Sequence, residues 1–212
     1  MIDHRPFLLM LLVQSAIGYI AINRNNLAVV FADRAPVNGP PTDHAKVART
    51  LVHKANWAAT GTISTNQVIE GYPMVNIISI ADSGKGEKST GHIYYYLTDL
   101  DYTANDIKAE NKITFMISED QDLSCTKSST DPMEPTCARV IISGKVIALN
   151  NSTEEYKKAK AAFISRHPAA NRWIQVHSFF LCTVDILNIF VLDWYGGPHK
   201  VSPEDYYKVP SE

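Results

Sequence analysis

From residue 57 onward, short β-branched and aromatic runs recur between breaks rich in glycine, proline and asparagine, the pattern of strands joined by turns. Residues 57–65 (WAATGTIST) are small and β-branched, residues 74–80 (MVNIISI) alternate imperfectly, and Gly71-Tyr72-Pro73 marks the turn between them. Residues 81–89 (ADSGKGEKS) predict a hairpin loop, 93–97 (IYYYL) an aromatic strand, 103–110 (TANDIKAE) a short helix and 113–117 (ITFMI) another strand. Residues 138–149 (ARVIISGKVIAL) predict a long strand bent or bulged at Gly144. Residues 153–164 (TEEYKKAKAAFI) predict a helix with Ser152 or Thr153 as its cap and acids in its first turn. Residues 176–184 and 186–194 predict two final strands divided near Asp185, and residues 196–212 read as a glycine- and proline-rich tail. Upstream, residues 45–54 (AKVARTLVHK) place Val47, Leu51 and His53 or Lys54 at helical spacing, and the three prolines of residues 33–44 predict an extended linker. About six strands with two or three short helices predict an α+β chain built on a closed or partly closed antiparallel barrel rather than a doubly wound sheet.

The N-terminus has a different pattern. A histidine and an arginine precede the uncharged run FLLMLLV at residues 7–13, the order of a secretory leader. Cleavage is expected before Tyr19 or, alternatively, before Asp33, giving a leader over residues 1–18 (or to 32), a linker over 19–44, a domain over 45–208 and a short tail over 209–212. An uncleaved anchor is the competing reading, but the apolar run is shorter than the roughly 20 residues a spanning helix needs, so no stable membrane anchor is expected. Export implies oxidising surroundings and glycosylation. Two overlapping acceptor sequons begin at Asn150 and Asn151 in a polar turn, and crowding favours one glycan over two. Cys125 and Cys137 bracket the hydrophilic segment TKSSTDPMEPT, and a disulfide closing a loop of that size contributes on the order of 3 kcal/mol. Metal ligation is the alternative, with neither a CxxC pair nor a nearby histidine in its favour. Cys182, within an apolar run, reads as a buried thiol.

The 212 residues are 45% hydrophobic and 20% charged, enough for a substantial core, and the formal charge of −2 gives no basic excess for nucleic acid. There is no HExxH, GxSxG or strand-linked GxGxxG, and the lysine-rich loop at 84–90 lacks the GxxxxGK[ST] spacing of a phosphate loop. Seven histidines are scattered without i,i+4 pairs, so no metal site and no catalytic residue is expected. His167 reads as a helix-end residue and His177 as buried beside Trp173 and Phe179. The stretch from Asp193 to Pro198 (DWYGGP) reads either as a plain turn or as a functional element at the barrel mouth.

The run 56–65, Gly71-Tyr72-Pro73 and the following strand, loop and aromatic strand resemble the opening of split β-barrels that bind flavin mononucleotide (FMN). Over residues 45–208 the chain resembles the CREG family, the cellular repressors of adenovirus early-region-stimulated genes. The motifs that carry this are WAATGTIST, the spaced cysteines with DPMEP between them, ISGKV, the sequon at Asn151, FISRHP and IFVLDWYGGPHKVSPEDYY. The resemblance implies an FMN-binding-type split barrel, antiparallel and Greek-key-like with a few short helices, in a homodimeric secreted or lysosomal glycoprotein. It implies no catalytic activity, a flavin site that has been lost, and action through a glycan- or protein-binding receptor in growth and differentiation control or lysosomal function. By this resemblance Asp131, Pro132, Met133 and Glu134 form a loop that fills the former flavin cleft or meets a partner, their two acids opposing a phosphate. An FMN-dependent oxidoreductase with a working site at the dimer interface is the alternative. Nuclear repression, which the family's name implies, is disfavoured by the leader, the sequons and the mildly acidic charge.

Overall fold

The computed structural model describes residues 19–23, 26–30 and 43–210, in two compact units. The leader expected over residues 1–18 lies outside the described residues, as does the cut position before Asp33. In the first unit, β1 (Tyr19–Asn23) pairs antiparallel with β2 (Asn26–Val30), a two-stranded ribbon within a stretch expected to be linker.

The second unit opens with α1 (His44–Lys54), capped by the Asp43 carboxylate, which accepts from the Lys46 amide. Its inward face is Ala48, Leu51 and Val52, together with a buried Arg49. There follow β3 (Trp57–Ile63), β4 (Pro73–Ser79), β5 (Tyr95–Thr98), α2 (Tyr102–Ala109) and β6 (Ile113–Ser118). A 3-10 turn (Glu119–Asp122) and the one-turn α3 (Ser124–Lys127) lead to β7 (Arg139–Ala148), α4 (Glu154–Arg166), α5 (Ala170–Trp173) and β8 (Phe179–Leu192). A short β9 (His199–Val201) and α6 (Pro203–Lys208) end the described chain.

All pairings are antiparallel, in the order β4-β3-β6-β7-β8-β5, with β9 added to β8. β5 returns beside β4, so the sheet curls into a nearly closed split barrel. Its interior is filled by alternate side chains: Tyr95 stacks edge-on against Phe115 at 5.2 Å, amid Ile142, Ile189 and Val191. A second cluster forms where α4 covers Tyr96 and Leu181 with Ala159 and Phe163.

The long strand at Gly144 is irregular as the sequence implies, but the extra residue comes from its neighbour. Ser143 faces Asn188 and Gly144 faces Ile186, leaving Leu187 unpaired on β8. A Cβ on Gly144 would lie 2.2 Å from the Asp185 carbonyl oxygen, so glycine is what lets the strands approach.

Three expectations need correction. β8 is one strand, because Asp185 points outward opposite Lys145 and does not interrupt the ladder. The tail is partly ordered: Ser202 caps α6, Pro203 occupies its first turn, and Tyr206 is fully buried, its hydroxyl donating to the Gly91 carbonyl. His177 is exposed, touching Phe179 only at a ring separation of 6.3 Å. Cys182 is buried and free as expected, and burial pushes its thiol up to about 12.

The barrel's outer face carries an apolar row. Register places Ile77, Ala59, Met116, Ile141 and Phe190 side by side across β4, β3, β6, β7 and β8. Ile77 is 66% exposed, Met116 39% and Phe190 38%, and Trp57, Ile63 and Val75 widen the patch on the same face.

Candidate functional site

Cys125 and Cys137 are joined in a disulfide with their Cα atoms 5.8 Å apart, so these thiols are not free to ligate a metal. The segment between them is held by local contacts of the kind its Asp, Ser and Thr content favours. The Asp120 carboxylate accepts from the Thr126 amide and hydroxyl, and Asp131 accepts from the Met133 amide. From β7, the Arg139 guanidinium donates to the carbonyls of Pro132 and Met133 at 3.1 and 3.2 Å. Asp131, Pro132, Met133 and Glu134 are all exposed, Met133 by 80%.

Between α1 and the base of this segment lies a cleft of about 580 Å³. Val47, Thr50 and Leu51 line one wall, and Glu119 and Asp122 line the other, with Asp193 among the remaining residues. Ser124, Thr136 and Ala138 reach the cleft from the disulfide segment, but the four loop residues singled out in the sequence do not line it. The sequon turn lies elsewhere, before α4. There the Asn150 side-chain oxygen accepts from the Ser152 amide and hydroxyl, whereas exposed Asn151 makes no such side-chain contact among the described residues.

A polar knot joins α1, the loop after β4 and α4. The Arg166 guanidinium meets Asp82 at 3.0 Å and donates to the carbonyls of Ser83, His53 and Ala55. His53 Nδ1 lies 3.0 Å from Asp82 Oδ1, and the Ser83 hydroxyl donates to the same oxygen at 2.9 Å. Burial alone would raise the Asp82 carboxyl, but hydrogen bonds from Ser89, His53 and Ser83 and the His53 charge outweigh it and hold the group below its usual range. The trio looks like a nucleophile, base and acid, yet Ser83 and Asp82 both approach the same imidazole nitrogen. A proton relay needs the base to face them with different nitrogens. The arrangement is therefore structural. Arg49, also buried, is spent in the same way, on the oxygens of Ser89 and the Tyr206 carbonyl.

The structure gathers a further group that sequence reasoning missed. His44 at the start of α1, Asp193 just after β8 and His199 at the start of β9 offer donor atoms within 4.8 Å of one another. His44 and Asp193 are 149 residues apart in sequence, so no local spacing could reveal them. The only available signal was the Asp193–His199 pair flanking the Gly196-Gly197 turn.

A model of the CREG β-barrel family matches residues 39–208. Protein CREG1 of Gallus gallus is 36% identical over 171 residues, 80% of this chain and 88% of that protein. Protein CREG1 of Homo sapiens is 35% identical, over 84% of this chain and 80% of its own length. Human Protein CREG2 is 33% identical, and the match spans 57% of its length. Among solved structures, a heme binding protein from Mycobacterium smegmatis superposes with a TM-score of 0.61 at 17% identity, over 80% of this chain and 62% of that one. A Clostridium acetobutylicum protein of the pyridoxinephosphate oxidase family reaches 0.51 at 12% identity, over 78% of this chain and all of that one. These two likenesses concern the fold. The sequence matches go further, and by them the chain belongs to the CREG family.

Proposed function

We propose that the chain performs no chemical step of its own and acts as an exported, glycosylated homodimer that binds a glycan- or protein-bearing receptor. Its setting is growth and differentiation control, outside the cell or in the lysosome. The observation that carries this reading is the state of three of the four arginines among the described residues, the fourth being the exposed Arg172 of α5. Arg49, Arg139 and Arg166 all donate to the protein's own oxygens, and a flavin phosphate needs such donors unspent. Arg139 in particular is taken up by the disulfide-closed loop, whose exposed Asp131 and Glu134 add like charge against a phosphate. The loop is tied at both ends yet presents Met133 to solvent, which suits a partner surface.

Dimerisation is supported by the apolar row across five strands, since exposed patches of this kind mark protein contacts. Glycosylation at Asn151 is supported by its exposure and its uncommitted side chain. The test is an absorbance spectrum of protein purified from a secretory host, before and after adding FMN, with light scattering in parallel. A colourless dimer that takes up no FMN agrees with this reading. A yellow protein with one flavin per chain would replace it with the alternative, an FMN-dependent oxidoreductase. Met116→Asp, at the centre of the row, should give a monomer.

A further inference from the structure

We infer that His44, Asp193 and His199 form a binding site for a divalent transition-metal ion of the zinc class. Three separate elements deliver the three side chains. α1 begins at His44, β8 ends one residue before Asp193, and His199 starts β9 in register with Val191. The turn between the last two runs through Gly196 and Gly197, with φ of 117° and 102°, a left-handed path open to glycine. It folds His199 back over the end of β8.

The three side chains already lie against one another. His44 Nδ1 stands 2.8 Å from Asp193 Oδ2, and the His44 and His199 rings stack at 3.8 Å, within 9° of parallel. Asp193 supplies an independent indication. Its side chain is only 5% exposed, and its second oxygen, Oδ1, is buried without a hydrogen-bond partner. A buried carboxylate oxygen left so is costly and is stabilised by a cation.

Two imidazole nitrogens and one carboxylate oxygen match zinc and its first-row neighbours, whereas calcium and magnesium prefer oxygen throughout. Tetrahedral bonds of about 2.0–2.1 Å put ligand atoms roughly 3.3 Å apart. The present spread of up to 4.8 Å would have to close by rotation of the side chains when the ion binds. Three protein ligands leave a fourth position for water or a partner's donor atom. Asp193 also lines the 580 Å³ cleft, so the ion would sit beside that opening and pin the start of α1 to the end of β8.

The test uses tag-free full-length protein stripped with a chelator. Zinc affinity is measured by competition with a chromophoric chelator, and cobalt is added as a spectroscopic probe. One zinc per chain is expected, with a visible cobalt spectrum of tetrahedral intensity and a rise in Tm on adding zinc. His199→Ala and, separately, Asp193→Asn should each weaken zinc at least tenfold and abolish the zinc-dependent rise in Tm. His177→Ala, at an exposed histidine outside the cluster, should bind as the parent does. Circular dichroism identifies any variant that fails to fold, and the other ligand variant then decides. No zinc uptake by the parent protein would overturn the assignment. Equal uptake by the parent and a folded ligand variant would overturn it too.

Discussion

Replacing Arg166 by methionine tests the polar knot most directly, because methionine keeps the bulk of the stem and removes only the fork. The side chain is 9% exposed and the Asp82 carboxylate it faces is 0% exposed, so water cannot take over. The change strips a charge partner from Asp82 and a donor from the carbonyls of Ser83, His53 and Ala55. Removing one member of a buried pair costs about 3–5 kcal/mol, because the other charge stays behind uncompensated. For a chain of this size each kcal/mol lowers Tm by roughly 2–4 °C, so the loss should be about 6–20 °C by calorimetry. A double-mutant cycle separates the pair from the carbonyls. Arg166→Met with Asp82→Asn should cost less than the sum of the single changes, by about 2 kcal/mol, since the orphaned charge is then absent. Additive penalties, or a single-variant loss under about 1 kcal/mol, would show that the knot does not bear on stability as reasoned here.

Acid sensitivity follows from the same carboxylate. The folded Asp82 pKa lies below its ordinary 3.8, so its contribution is complete above that value and is lost as pH falls through the folded one; urea unfolding at stepped pH should show a falling acid limb that Asp82→Asn flattens. At Gly144, an added methyl would meet the Asp185 carbonyl at 2.2 Å and Val184 at 2.7 Å, so Gly144→Ala should cost about 1–3 kcal/mol in denaturant titration. The Cys182 thiol, fully buried and raised to about 12, should resist iodoacetamide in the native protein and react only on unfolding; rapid native labelling would contradict its placement.

The strands that alternate most cleanly were the most legible in the sequence. β3 and β6 bury every second residue, β7 does so as far as Gly144, and that glycine betrayed the irregular pairing. β8 was misread because an aspartate amid apolar residues looks like a break, though an outward site opposite a lysine accommodates it. Ser202-Pro203-Glu204-Asp205 is a well-formed helix start, but the surrounding glycines and prolines made it look like tail. Buried Arg49 was invisible for a different reason. Its acceptors, Ser89 and Tyr206, lie 40 and 157 residues away, and no periodicity records such partners. The same holds for the candidate site. The cysteines and sequons were legible because each motif is local, whereas His44, Asp193 and His199 meet only once the barrel has closed.

The burial of Tyr206 has a consequence for how this chain is made. α1 stands at the front of the barrel domain, yet one of the carbonyls that satisfies its buried guanidinium comes from α6, 157 residues further along the chain. Until α6 docks, that cation has only the Ser89 oxygens as partners. Consolidation of the interior around α1 must therefore wait for α6, and removing that short helix would leave nearly all the strands in place with a buried donor short of an acceptor.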